Sequence, residues 1–413
     1  MLFHFASVLS SLFLTFAIYL LIKFVIRNKS LQLSALFVAT VGGGFGWILS
    51  YASDITGPAF TLLKAFEFPH IAVSFGTLIL SFLYAFKFFN KGKHKDLLLS
   101  SVFAVINFII HPPFFILIVI VGGLISFLKF LKNKEWHFFK YPILTVFIFS
   151  LLYLLIFKDF HHNPGFAGLV GQNSRGMGIS SILAGFGILL PFLALSIHPI
   201  INNLNKNYFY VLLLFVVEIL LFFSPINFTF YFLYGLFVWV AILAFIFVEN
   251  LKTTKRIKLL IVLSLILITP ISRVYTFLNL LKVQTNNPFY YLQKDEKKAL
   301  DFLKTVPEKS SILTLHYMGN QIPAHTYNRV YFGHHLTTPD GFKKEQSARE
   351  FYIIMRPERQ KQFLIANNID YVYYGQEEAG LRLSKELETA DPFDYFNVAY
   401  SNNKAIIYDV REF

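Results

Sequence analysis

Read as a pattern of apolar and polar positions, the chain is a series of long apolar runs followed by a tail of short, alternating ones. Ten runs are candidate membrane spans: Phe5–Ile26, Leu33–Ser50, Ile71–Phe89, Leu97–Ile110, Phe114–Leu131, Tyr141–Phe157, Ser180–His198, Tyr208–Phe223, Phe230–Val248 and Lys258–Ser272. A hydrocarbon core of ~30 Å takes about 20 apolar residues of helix, and most of the runs approach that length. Leu97–Ile110 is short, about 21 Å at ~1.5 Å per residue. It ends at His111-Pro112-Pro113, so a re-entrant hairpin over 97–131 is an alternative to two spans.

After Ser272 the period changes. Leu292–Leu303, Lys343–Met355, Pro357–Asn367 and Glu377–Leu387 are predicted helices. Ser311–His316, Val330–Phe332, Asp370–Tyr374, Phe396–Tyr400 and Ala405–Val410 are predicted strands, the last two turning at Asn402-Asn403. Strands separated by helices imply a mostly parallel sheet with an antiparallel edge. The expected fold is a mainly α polytopic membrane protein, with about ten transmembrane helices over 1–272 and a C-terminal α/β domain over 273–413.

Composition agrees with that division. Of 413 residues 55% are hydrophobic, 15% are charged and 50 are Phe, which is membrane composition. Residues 1–272 hold 19 Lys and Arg against 7 Asp and Glu, whereas 273–413 hold 18 against 17. The basic charge belongs to the apolar part, and nucleic acid is not an expected partner. Sixteen of those 19 cations lie in one alternating set of loops, and only Lys64, Lys158 and Arg175 in the other. The positive-inside rule puts the first set in the cytoplasm. Both termini and the α/β domain are then extracytoplasmic, at the cell membrane. Cysteine is absent, which excludes thiolate chemistry and disulfides. The first run starts without a basic segment before it, unlike a cleavable signal, and reads as following spans that have been removed.

Candidate chemistry lies in the outward loops. Asp54 and Glu67, followed by His70, stand in the first polar interruption, Gly42–His70. Carboxylates there suit a general base or a divalent cation, Mg or Mn, and equally suit the capping of a loop. His111, one turn after Asn107, could contact a polar ligand or satisfy the backbone freed by the two prolines. In the glycine-rich loop Lys158–Gly178, His161, His162 and Arg175 are candidates for a phosphate or a metal, though the stretch also reads as a surface turn. Glu218 is an acid inside a span. Gly42, Gly43, Gly44 and Gly46 permit close packing. In the tail, His334, His335 and Asp340 follow a strand, where α/β sheets bind ligands, and Asp340 also suits the N-cap of the next helix. The sequence contains no P-loop, GxGxxG, GxSxG or HExxH.

GGGFGW at Gly42–Trp47, FPH at Phe68–His70, HPP at His111–Pro113, YFGHHLTTPD at Tyr331–Asp340 and IDYVYYGQEE at Ile369–Glu378 together resemble the GT-C glycosyltransferase superfamily. Its bacterial polytopic members include relatives of protein mannosyltransferases and lipid A aminoarabinose transferases. The resemblance implies transfer of a sugar from a polyprenyl-phosphate carrier to a cell-envelope glycan, lipid or protein, with a membrane lipid as partner. It also implies a catalytic acid in the first large external loop after the first helix. This chain departs there, since Asp54 and Glu67 occupy a later loop; it is an N-terminal truncation, an incomplete or inactive member, or one whose loop is repurposed. Two other expectations stand beside it: a transporter or flippase of a lipid-linked glycan using Glu218 and the break at His111, and a non-catalytic scaffold whose tail binds glycan or protein.

Overall fold

The structure, a computed structural model, describes residues 2–56, 68–157, 178–202, 207–225, 229–284, 292–335, 338–387 and 392–413. Glu67, His161, His162 and Arg175 lie outside the described residues. The chain divides into two compact units, with the boundary in sequence between Asn279 and Leu280.

The first unit is helical. Its described helices are α1 (Leu2–Val25), α2 (Lys29–Val41), α3 (Ser53–Thr56), α4 (Pro69–Lys91), α5 (His94–Ile110), α6 (Phe114–Asn133), α7 (Lys140–Leu152), α8 (Ile179–Phe186), α9 (Leu189–Ile201), α10 (Tyr208–Phe222), α11 (Leu236–Asn250), α12 (Lys255–Ile268) and α13 (Ile271–Gln284). Helix α11 is the hub. Leu236 through Ile246 are all buried, as a helix apolar on every side requires, and α2, α9, α10 and α12 pack around it. On the outside, Leu12, Phe16, Ile143, Phe147, Leu260 and Leu267 are exposed large apolar residues, the surface that a bilayer covers.

Among the described residues, six helices are long and apolar enough to cross a membrane, or seven if one bent pair counts as a span. This is a multi-pass membrane protein. The expected count of ten differs for identifiable reasons. The Leu33–Ser50 run is not one helix: α2 stops at Val41, where Gly42, Gly43 and Gly44 leave the helical path. Ser180–His198 is not straight, because α8 and α9 meet at 91°. Gly187 sits at the corner with φ +55°, a conformation that costs other residues strain. Conversely the last run is longer than expected, since α12 and α13 continue across Thr269-Pro270 as a stretch from Lys255 to Asn279.

The second unit has α14 (Lys294–Leu303), β1 (Ser311–Leu313), α15 (His316–His325), β2 (Arg329–Val330), α16 (Gly341–Ile353), α17 (Pro357–Ala366), β3 (Tyr371–Tyr374), α18 (Gln376–Leu383), β4 (Asn397–Ser401) and β5 (Ile406–Asp409). The sheet order is β2-β1-β3-β5-β4, with β2, β1 and β3 parallel and the β4–β5 hairpin antiparallel. Side chains alternate between two cores. Leu313, Val372, Tyr374 and Tyr408 meet Phe351, Tyr352 and Leu364 of α16 and α17. Ile312, Tyr371, Tyr373 and Ile407 meet Leu300, Met318 and Ile322 of α14 and α15. Helices therefore cover both faces of the sheet, which is why the four residues of β3 are all buried. A capping box starts α14: Glu296 Oε2 accepts from the Gln293 amide at 2.9 Å, and the Gln293 side chain caps in return.

Two local expectations fail in this unit. His316 opens a helix instead of ending a strand. Asp340 stands before α16 with φ +54° and its side chain makes no capping bond, so it is not an N-cap of the ordinary kind.

At Gly44 a side chain has no room, because a Cβ would stand against the Gly185 carbonyl, whereas Gly123 in α6 has nothing within 4 Å. Gly44→Ala is expected to destabilise the helical unit by about 1–3 kcal/mol, the cost of overpacking. Gly123→Ala is expected to be neutral or stabilising. Thermal unfolding of the two variants in detergent checks this; equal midpoints would show that the loop at Gly44 yields freely.

Candidate functional site

The polar groups of the first unit gather at a junction below the end of α2. Leaving the helix at Gly42 strands backbone amides in apolar surroundings, where each must find an acceptor. Gly43 donates to the Thr269 carbonyl at 2.8 Å and Phe45 to the Ala184 carbonyl at 3.0 Å. Gly44 and Gly46 donate to Asp54 Oδ2 at 2.7 and 3.3 Å. The Ser272 hydroxyl donates to the same oxygen. Arg273 completes the frame: its Nη1 donates to the Asp54 carbonyl at 2.9 Å and its Nε to the Gly42 carbonyl at 3.1 Å.

Asp54 is thus buried, 2% exposed, and fixed through one carboxylate oxygen. Its other oxygen, Oδ1, is buried with no hydrogen-bond partner. A carboxylate held this way keeps a fixed direction and has one oxygen able to take a proton or ligate a cation. Among the described residues no group of three or more His, Asp or Glu side chains is placed to hold a metal ion, so Asp54 Oδ1 would need ligands from elsewhere.

A second polar cluster joins α4 and α5. Asn107 Nδ2 donates to the Ser74 carbonyl at 2.7 Å and to the Ser74 hydroxyl at 3.0 Å, bridging the helices. One turn on, the His111 ring lies between Phe114 and Tyr231, with centroids 4.8 and 4.3 Å away. His70 stands in the first turn of α4, its ring centroid 6.1 Å from that of Phe68. Asn107 Oδ1 and His111 Nδ1 are both buried without a hydrogen-bond partner. Glu218, deeper in the unit, accepts from Trp239 Nε1 at 2.8 Å through Oε2, and its Oε1 is buried without a partner.

In the second unit the chain leaves β1 toward β2 and leaves β3 toward the opposite edge, so a crevice opens at the carboxyl ends of β1 and β3. His316 follows β1, and its Nδ1 is 2.9 Å from the Gly333 carbonyl. His334 and His335 stack at 4.6 Å between centroids, and His316 is 5.0 Å from His334. Burial lowers the His334 pKa, and the neighbouring His335 and His316 lower it further. Glu345 stands 4.0 Å from His335. Two acids from the start of α18 close the floor. Glu377 Oε2 accepts from the Tyr317 amide at 2.7 Å. Glu378 Oε1 accepts from the Thr314 hydroxyl at 2.9 Å and the Leu315 amide at 2.8 Å, and its Oε2 from the Gly375 amide at 3.0 Å. Burial, and then the Glu377 charge, push the Glu378 pKa up to about 7 against those hydrogen bonds.

Sequence reasoning named Asp54, His70, His111, His334 and His335 but not Ser272, Arg273, His316, Glu377 or Glu378. An Arg at the end of an apolar run was the available signal for the first pair, and two acids directly after a strand for the last.

No protein-family profile matches the sequence, and no curated protein matches it. Among solved structures, the chain is similar to the archaeal oligosaccharyltransferase AglB from Archaeoglobus fulgidus in complex with an inhibitory peptide and a dolichol-phosphate. That match has 13% identity and a TM-score of 0.42, over 96% of this chain and 61% of that one. It is also similar to the Archaeoglobus fulgidus oligosaccharyltransferase tethered with an acceptor peptide, at 14% identity and TM-score 0.45, over 98% of this chain and 62% of that one. The chain thus spans less than two thirds of the length of these enzymes.

Glu378 gives the second unit a pH dependence with a definite sign. Its folded pKa, about 7, is above that of an unfolded glutamate, so folding favours the protonated form. The contribution is complete below the unfolded value of ~4.3 and is lost as pH rises through the folded one. Hydrogen exchange of the β3–α18 segment in the full chain should therefore speed up from pH 4.5 to 7 after correction for intrinsic rates. Glu378→Gln should flatten that slope; an unchanged slope would assign the effect to other groups.

Proposed function

We propose that this is a GT-C-like membrane glycosyltransferase that moves a sugar from a polyprenyl-phosphate carrier to an acceptor on the cell-envelope side. The observation that carries the reading is the Asp54 carboxylate, fixed through Oδ2 and unpartnered at buried Oδ1. The sequence resemblance, the multi-pass helical unit and the separate α/β unit support it.

In this mechanism Asp54 Oδ1 takes the proton of the acceptor hydroxyl as the hydroxyl oxygen attacks the anomeric carbon. The bond between that carbon and the carrier phosphate breaks, and polyprenyl phosphate leaves with its electron pair. Arg273 is a positioning residue, holding the main chain of Asp54 and Gly42. Glu67 is the second catalytic carboxylate of this reading, Arg175 or a bound Mg or Mn offsets the phosphate charge, and His70, His111, His161 and His162 stand on the substrate side. His334, His335 and Asp340 of the α/β unit are further substrate-binding candidates of this reading. The domain division at 272/273 and the extracytoplasmic tail belong to this reading.

A second reading, a flippase of a lipid-linked glycan, is favoured by Glu218, whose buried Oε1 has no partner inside the helical core.

Purified protein, in membranes also supplying any segment encoded upstream of Met1, is given a radiolabelled polyprenyl-phosphate sugar and an envelope fraction. Label transfer is expected, and Asp54→Asn, which keeps the shape of the side chain, should lower it about 100-fold or more with little change in melting temperature. Transfer by Asp54→Asn at the parent rate would remove Asp54 from the chemistry. Absence of transfer together with carrier translocation that Glu218→Gln abolishes would replace the transferase with the flippase.

A further inference from the structure

At the amino-terminal end of the sheet, away from the histidine crevice, the second unit holds a cavity of about 610 Å³ lined by Lys304, Glu308, Pro323, His325, Tyr327 and Asn328 among others. Its volume is within the roughly 300–1,000 Å³ of small-ligand pockets. None of these residues takes part in the site described above.

The rim is rigid. Asn328 Nδ2 donates to the Leu303 carbonyl at 2.5 Å, tying the turn before β2 to the end of α14. The Asn328 amide donates to the Thr326 hydroxyl at 3.1 Å, and that hydroxyl donates to the Ile322 carbonyl at 2.7 Å. The Lys309 amide donates to the Tyr327 carbonyl at 3.1 Å, and the Arg329 amide to the Ser310 carbonyl at 2.9 Å. Every neighbour of Tyr327 is fastened, yet its side chain is 82% exposed. A large ring on an immobilised backbone, packed into nothing, offers contact area at small entropic cost.

The polar groups select the occupant. Lys304 is already paired with Asp301 at 2.7 Å, Glu308 supplies the opposite charge, and His325 supplies a ring nitrogen. Neither sign of charge dominates, so a phosphate or an acidic chain has no advantage. An aromatic face beside mixed donors and acceptors matches a pyranose, whose C–H face lies on the ring while its hydroxyls both give and receive hydrogen bonds. We infer that the cavity beside Tyr327 is a binding site for a neutral hexose or N-acetylhexosamine unit of a glycan chain. The site stands whether or not Asp54 is catalytic.

The test is saturation-transfer NMR on the full chain in a non-glycosidic detergent, with cellobiose and N,N′-diacetylchitobiose as probes. At least one disaccharide is expected to bind with Kd on the order of 1 mM, about 4 kcal/mol. Tyr327→Ala should weaken it at least ~10-fold, a loss of about 1.4 kcal/mol, at an unchanged melting temperature. Tyr327→Phe, which keeps the ring, should bind as the parent does. Asp54→Asn should leave this binding intact, which separates the site from the transfer reaction. Failure of both disaccharides to bind, or equal binding by Tyr327→Ala, overturns the assignment, as does displacement of the sugar by a peptide or by phosphate.

Discussion

The helical unit depends on how it satisfies the backbone amides released where α2 ends. In water those N–H groups would need nothing from the protein. Inside an apolar bundle each one left unpaired costs several kcal/mol. Asp54 Oδ2 takes two of them, and the carbonyls of Thr269 and Ala184 take two more. These acceptors come from α3, from the junction of α12 and α13, and from α8, so one break in one helix fixes the relative positions of four others. The run of glycines follows from the same constraint: Gly44 lies against the Gly185 backbone, and Gly42 against the ring of Phe237 in α11.

The α/β unit meets a similar demand with a similar device. Where β1 and β3 end, Thr314, Leu315 and Gly375 present donors at the floor of the crevice, and Glu378 accepts all of them. Tyr352 adds its hydroxyl, donating to the Tyr373 carbonyl at 2.8 Å and lying 3.1 Å from that of Leu313. Parallel strands require long crossovers, so the loops that meet at this end are distant in sequence. A buried acid there is a staple between them, set in a low-dielectric site that resists its ionisation.

How much of this was legible follows from what each feature needs. Periodicity needs only near neighbours, and so the alternation of strand and helix, the hairpin turning at Asn402 and the long apolar helices could all be read. The corner at Gly187 could not, since an isolated glycine in an apolar run is as compatible with packing as with a 91° bend. Ser272 and Arg273 were missed for another reason: they meet Asp54 across more than 200 residues, and hydrogen bonds at such separations leave no spacing to recognise. Asp54 was found by location alone, as an acid in a polar interruption. The cradle that gives it meaning is made of backbone amides, which every residue but proline carries and which no sequence motif marks.

The same accounting separates the buried acids by role. Glu378 has both oxygens engaged, by three donors, and its geometry is complete without any ligand. Asp54 and Glu218 each have one oxygen engaged and one buried without a partner. An unpaired carboxylate oxygen in an apolar interior is expensive, and a structure retains it where something else completes it. Among the described residues Glu218 takes one hydrogen-bond donor, Trp239 Nε1, on Oε2. Asp54 differs because three donors converge on its Oδ2, two of them backbone amides. That arrangement fixes the direction of the carboxylate and leaves Oδ1 for a partner that brings a donor or a positive charge. An acceptor hydroxyl would meet that requirement, as would a divalent cation, and this is what the proposed sugar transfer asks of Oδ1.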